Sequence, residues 1–148
     1  MAVTMDQVRD VLAPDEPAYG AARLLGQDAV HHLIELMRGP DEHFAVKAAS
    51  LLGMIGGSAA AETLRRAASD PRLTVRIAVA ATAHNLGPEL AGELQLELLQ
   101  SPEPVIRKVA LESMPSTRSD HVSDAIQRIA GQDEVPELRV LAEQVRNR

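Results

Sequence analysis

The sequence contains no cysteine and no tryptophan, and it has almost no aromatic residues. Without cysteine, the 148-residue chain can form no disulfide, no thiolate nucleophile and no thiolate metal site. Tyr19 and Phe44 are its only aromatic residues, so alanine, leucine, valine and isoleucine must fill the core. Such a core favours closely packed helices and disfavours a β-sandwich.

Excess positive charge is also lacking, because the formal net charge is −6. Strong nonspecific binding to nucleic acid or to anionic membranes needs basic patches, so both partners are disfavoured. No apolar run approaches the roughly 18 residues that cross a bilayer, and "MAVTMDQVRD" has no signal-peptide features. We therefore expect a cytoplasmic protein. Arginine outnumbers lysine 13 to 2 and alanine is abundant, a bias typical of GC-rich bacterial genomes.

Prolines recur at intervals of 31 residues, at Pro40, Pro71 and Pro102. Four residues after each comes an apolar residue: Phe44, Val75 and Ile106. A further copy begins at Leu138, and a weaker one lies near Pro17. This internal period is typical of a repeat protein.

Each copy predicts two helices joined by a short turn. Apolar residues at helical spacing follow each start, as in the stripe Val75, Ala78, Val79, Thr82 and Ala83. Five glycines are predicted to end first helices in a left-handed conformation: Gly26, Gly53, Gly56, Gly57 and Gly87. The second helices are predicted to begin at Asp28, Ser58, Pro88 and Asp120.

The pattern predicts an all-α fold, an α-solenoid (α-α superhelix) of about four helix pairs with a helical cap at each end. Residues 1–148 form one domain in this prediction. The predicted repeats cover residues 14–39, 40–70, 71–101 and 102–132. The predicted caps cover residues 1–13, where Thr4 and Gln7 match a capping box, and residues 133–148.

The segments "VKAASLLGMIGG" (46–57) and "DPRLTVRIAVAATAHNLG" (70–87) resemble the short HEAT-like repeat found in phycobilin lyase subunits. "PEPVIRKVALESM" (102–114) and "PELRVLAEQV" (136–145) are weaker matches, so the resemblance spans almost the whole chain. It implies the solenoid fold. It implies no single activity, because proteins with this repeat do many things.

Arginine follows the apolar start of three first helices, at Arg76, Arg107 and Arg139. One interpretation is a ladder of cations for phosphates. We favour a structural role, in which each guanidinium bonds carbonyl groups or the carboxylate of Asp70 or Asp133. Ala45 occupies the equivalent position in the second copy and interrupts any ladder.

Evidence for catalysis or a bound metal is weak. His31, Glu35 and His43 are a conceivable metal site. Among proteins with the fold that this resemblance implies are di-iron hydroxylases, which carry paired "HE" dipeptides in their first helices, and no "HE" occurs here. We favour exposed histidines, with no metal and no cofactor. Serine-nucleophile motifs and Gly-rich phosphate loops are also missing, so the sequence indicates no enzyme.

Acidic residues dominate one predicted second helix, at Glu89, Glu93 and Glu97, with Glu103 in the next turn. No basic residue occurs between Arg76 and Arg107. The acids form either a solvated helix face or a strip for a basic partner. The inward residues of this helix are predicted to be Leu90, Leu94 and Leu98, with Leu96 at the flank or surface.

We expect the second helices to line the concave side of the solenoid. The predicted function is non-catalytic binding of a protein or peptide, as a scaffold or adaptor. The predicted contact residues are His32, Glu35, Glu62, Arg65, Arg66, Glu93, Leu96, Glu97, Asp124, Gln127 and Arg128. An accessory subunit for cofactor or metal handling, such as a lyase-like or maturation factor, is the alternative. The chain is expected to be a monomer or a weak homo-oligomer.

Overall fold

The computed structural model describes residues 2–148, which fold into helices without any β-strand. The helices are α1 (Met5–Leu12), α2 (Tyr19–Ala22), α3 (Val30–Arg38), α4 (Glu42–Ile55), α5 (Ser58–Ala67), α6 (Leu73–Thr82), α7 (Pro88–Leu99), α8 (Pro104–Glu112), α9 (Asp120–Gln132) and α10 (Pro136–Arg146). Two 3₁₀ segments, Arg23–Ala29 and Ala83–Leu86, lead into α3 and α7. No helix within residues 2–148 has the length and apolar character needed to cross a membrane.

The helices form two rows, which is the arrangement of an α-solenoid. Helices α4, α6, α8 and α10 contact one another in that order, and we call them the first-helix row. Helices α3, α5, α7 and α9 likewise contact one another in order and form the second-helix row. Because every pair buries its apolar stripe against its neighbours, the pairs stabilise one another. The predicted fold is confirmed.

The core is built from small and aliphatic side chains, as the lack of aromatics requires. The predicted stripe of α6 is buried, including Val75, Val79 and Thr82. Gly53, which we predicted to end α4, lies instead inside that helix. A Cβ at Gly53 would collide with the side chain of Thr82. The prediction that Gly53 ends α4 was therefore wrong. The absence of a side chain at this position allows α4 and α6 to approach closely.

Left-handed glycines do end α4, at Gly56 (φ 75°) and Gly57 (φ 91°). A residue with a Cβ is strained at these angles, so glycine suits the turn into α5. Gly26 and Gly87 also have positive φ values, as predicted.

Some predicted helix starts are displaced. The hydroxyl of Ser119 accepts a hydrogen bond from the backbone N–H of Val122, so Ser119 caps α9 and Asp120 is its first residue. Ser58 is likewise the first residue of α5 and not its cap. Asp28 lies within the 3₁₀ segment that precedes α3. Pro88 begins α7, as predicted.

The N-terminal helix α1 contacts α3 and α4 and has a reciprocal cap. The backbone N–H of Gln7 donates to the Thr4 hydroxyl at 3.2 Å, and the Thr4 N–H donates to the Gln7 side chain at 2.9 Å. This confirms the predicted capping box. Val8 and Leu12 are fully buried, so α1 covers apolar surface of the repeats.

Candidate interaction surface

Arginines at the starts of first helices join consecutive repeats. Arg107 donates two hydrogen bonds to the Asp133 carboxylate, at 2.9 and 3.1 Å, and one to the carbonyl oxygen of Ser101, at 2.9 Å. Arg76 bonds the carboxylate of Glu103 in the same way, at 3.0 and 2.8 Å. The predicted structural role of these arginines is therefore confirmed.

These contacts correct one prediction about the acidic strip. Glu103 pairs with Arg76, whose side chain is mostly buried, so Glu103 holds two repeats together. Glu103 is therefore not part of the group of α7 acids that could contact a partner.

A further arginine, Arg72, was missed by sequence reasoning. Its guanidinium bonds the carboxylate of Asp70 at 3.0 Å and the carbonyl oxygens of Gly39 and Met37 at 2.8 and 2.7 Å. The hydrogen bond from Arg72 holds the pKa of Asp70 below its usual value. The only sequence signal was its place directly after Pro71 of the repeat.

Asp133 is the most buried carboxylate of this network. Burial opposes its ionisation, but the N–H of Val135 and the guanidinium of Arg107 outweigh burial and lower the pKa of Asp133. Arg139 donates to the carbonyl oxygen of the same residue. These charges serve the fold and are not available to a ligand.

The predicted contact residues have a different environment. All lie on helices of the second-helix row. His32 and Leu96 are half-buried, and the others are exposed: Glu35, Glu62, Arg65, Arg66, Glu93, Glu97, Asp124, Gln127 and Arg128.

The ion pairs on the second-helix row lie at the protein surface. Arg65 of α5 bonds Glu93 and Glu97 of α7, at 2.9 and 3.3 Å, and its side chain is 52% exposed. Arg66 pairs with Glu62 within α5, at 3.1 Å. Exposed pairs of this kind contribute about 0–1 kcal/mol each, so a binding partner can displace them at little cost. They also neutralise part of the acidic strip.

Grooves separate the helices of the row. The α5–α7 groove has a volume of about 370 Å³ and is lined by residues that include Glu62, Arg65 and Glu93. The α7–α9 groove measures about 440 Å³ and includes Glu93 and Leu96. A third groove, of about 530 Å³, lies where α9 meets α10, and its lining includes Asp124, Gln127 and Arg128.

Four of the predicted contact residues line none of these three grooves: His32 and Glu35 on α3, Arg66 on α5 and Glu97 on α7. The Nε2 atom of His32 is 2.8 Å from the carbonyl oxygen of Val3. This contact ties the N-terminal segment to α3, so His32 is partly used by the fold.

The leucines of α7 depart from the prediction at one position. Leu94 and Leu98 are buried, but Leu90 is 41% exposed. Leu90 lines the α5–α7 groove, and Leu99, which was not among the predicted inward leucines, is buried. The buried face of α7 is therefore rotated away from Leu90 and includes Ala91 and Leu99. The leucines alone did not show this, because they occur on more than one face of the helix.

The structure also bears on the metal site that the sequence suggested. Within residues 2–148, no three His, Cys, Asp or Glu side chains form a group able to hold a metal ion. The candidate set His31, Glu35 and His43 is therefore not assembled. The rings of His31 and His32 lie 3.9 Å apart between centroids and pack against each other.

Two features of the surface were not predicted. Gly92 and His121 line the α7–α9 groove, and Arg118 reaches it from the turn after α8. This turn differs in sequence from the turns at Gly56 and Gly87, so the 31-residue period did not indicate that Arg118 would reach a groove. The second feature is a groove of about 440 Å³ between α8 and α10, whose lining includes Val105 and Leu141.

Comparison with known families agrees with this architecture. A family model described as HEAT repeats matches residues 29–114, which is more than half of the chain. A search among curated proteins finds no significant match.

Proposed function

We propose that this chain, which belongs to the HEAT repeat family, is a non-catalytic scaffold or adaptor that binds a protein or peptide through its second-helix row. HEAT repeats commonly mediate protein–protein interactions. The stacked pairs offer a long surface on a short chain, which suits contact with an extended partner.

The observation that supports this proposal most is a difference between the rows: some charged side chains of the first-helix row are buried in bonds between repeats, whereas those of the second-helix row are exposed. On the first-helix side, the guanidinium groups of Arg76 and Arg107 are mostly buried in bonds between repeats. On the second-helix row, charged side chains are exposed, and their ion pairs among residues 2–148 are with one another, as Arg65 pairs with Glu93. Exposed polar side chains beside grooves are the features of a recognition surface.

Charge reversal on one row tests the proposal. The double variant Glu93→Lys/Glu97→Lys reverses the acids of α7, and Glu112→Lys/Glu137→Lys reverses two exposed acids of the first-helix row. Each immobilised protein is exposed to a lysate of the source organism, and retained proteins are quantified by mass spectrometry. Calorimetry with the purified partner then measures its affinity for each variant.

We expect a partner that is retained by the wild type and by the first-helix variant and is lost from the second-helix variant. Both variants should keep their helical content, because only exposed pairs are broken. Equal retention by all three proteins contradicts the proposed face. Loss from the first-helix variant alone places the contact on the opposite row, and the absence of any specifically retained protein contradicts an adaptor.

A further inference from the structure

The α7–α9 groove contains a glycine that the fold does not require. Gly92 lies inside α7, where glycine is less favourable than alanine. Its φ is not positive, and a Cβ at this position would meet only the Ser119 hydroxyl, at an ordinary 3.8 Å. Gly53, in contrast, must lack a Cβ because of Thr82. Backbone conformation and packing therefore do not explain Gly92.

The missing side chain keeps the groove open. Gly92 lines the groove together with Pro88 and the half-buried Leu96, so the α7 wall is largely apolar. The volume of about 440 Å³ is within the range of pockets that enclose small ligands or large side chains. Any larger residue at position 92 would occupy part of this space.

The rim of the groove on α7 is acidic. Glu89 and Glu93 are exposed, one helical turn apart. Glu93 pairs only with the exposed Arg65, and Glu89 forms no ion pair within the described part of the chain. This rim is complementary to a basic partner.

The opposite wall contributes one cation, Arg118, against the two carboxylates of the rim. The guanidinium of Arg118 donates to the carbonyl oxygens of Pro115 and Val145, at 2.9 and 3.2 Å, so it is held by the backbone. His121 is exposed at the start of α9. An apolar wall beside carboxylates suits a partner with apolar and cationic side chains next to each other.

We propose that the α7–α9 groove receives a large apolar side chain from a segment of a partner protein, while Glu89 and Glu93 bind an adjacent lysine or arginine. This proposal rests on the proposed function and specifies which part of the second-helix row makes the central contact. Apolar anchors in fitted pockets dominate interface energies, and rim charges orient the partner.

A phage-displayed library of short random peptides, panned against the full chain, tests this groove. Selected peptides are synthesised with a fluorophore, and fluorescence anisotropy measures their affinities. We expect them to combine a large apolar residue with a neighbouring lysine or arginine. Gly92→Leu should weaken their binding roughly tenfold or more, because leucine fills the groove. Glu89→Lys should cause a smaller loss that diminishes with added salt.

Gly131→Leu is the matched control. Gly131 lies in α9 and lines the neighbouring groove, and apart from its chain neighbours and its own helix backbone no atom among the described residues lies within 4 Å of a Cβ placed there. This variant should bind the peptides as the wild type does. Leucine favours helix over glycine, so circular dichroism should show folded protein for both leucine variants. If Gly92→Leu does not fold, Gly92→Ala and Glu89→Lys provide the same comparison.

The outcomes separate this proposal from the proposed function. Peptides that bind Gly92→Leu normally but are lost on Arg128→Glu overturn the groove and leave the second-helix row in place. Peptides that respond to no second-helix substitution contradict both proposals. A library that yields no binder overturns the groove, and the capture experiment then decides the proposed function alone.

Discussion

The guanidinium of Arg107 and the carboxylate of Asp133 form two parallel hydrogen bonds, although the residues are 26 positions apart. Their side chains are only 9% and 6% exposed. The pair joins the start of α8 to the turn before α10. A buried bidentate pair restricts both partners to one geometry, so it fixes how these repeats stack.

Removing one partner of this pair should destabilise the protein strongly. Arg107→Ala leaves the Asp133 carboxylate buried without its cation, and we expect a loss of roughly 3–5 kcal/mol in the free energy of unfolding. Urea unfolding followed by circular dichroism measures the loss. A decrease below about 1 kcal/mol, as at exposed pairs, contradicts this interpretation.

Removing Arg65, which bridges α5 and α7 at the surface, should have little effect on stability. Its pairs with Glu93 and Glu97 are well exposed. We expect Arg65→Ala to change the free energy of unfolding by less than about 1 kcal/mol, and salt should reduce this change further. The same urea titration, at low and high salt, measures it. A large loss shows that the second-helix row is needed for folding, which weakens its assignment as a free surface.

The carboxylate of Asp70 should make stability depend on pH in acid. Its pKa in the folded chain is lowered, chiefly by the hydrogen bond from Arg72. A lowered folded-state pKa contributes stability that is present above the unfolded value, near 3.9, and is lost as pH falls through the folded value. Wild type should therefore lose more stability than Asp70→Asn between about pH 5 and pH 2.

Unfolding titrations at several pH values measure this difference. Arg72→Gln is the matched variant, because it removes the cause of the lowered pKa and leaves the carboxylate. It should flatten the acid dependence as Asp70→Asn does, and the double variant should add little. Parallel pH profiles for wild type and Asp70→Asn contradict the assignment.

Glycine-to-alanine substitutions in two helices should have opposite effects. Gly53→Ala places a methyl group against Thr82, and we expect a loss of about 1–3 kcal/mol from overpacking. Gly92→Ala meets only an ordinary contact, and alanine favours helix, so a gain of about 0.5–1 kcal/mol is expected. Thermal unfolding of the two variants measures both signs. Destabilisation by Gly92→Ala shows that the fold itself requires this glycine.

The repeat arrangement could be predicted from the sequence because its signals are local. Apolar spacing after Val75 or Ile106 indicates a helix without knowledge of any other part of the chain. Left-handed glycines, such as Gly56, mark turns for the same reason. The failures at Gly53 and Leu90 have a common cause: the sequence does not show which neighbouring helix a residue faces.

The sequence by itself determined that helices occur in pairs every 31 residues and must stack, because no pair can bury its apolar stripe alone. The tertiary structure alone decided which charges hold the fold and which remain exposed. Arg76 could be assigned a structural role from its place in the repeat. Its pairing with Glu103, however, depends on how closely the start of α6 approaches the turn before α8 in space. The α7–α9 groove depends in the same way on the packing of separate helices, so it could not be predicted from any local sequence pattern.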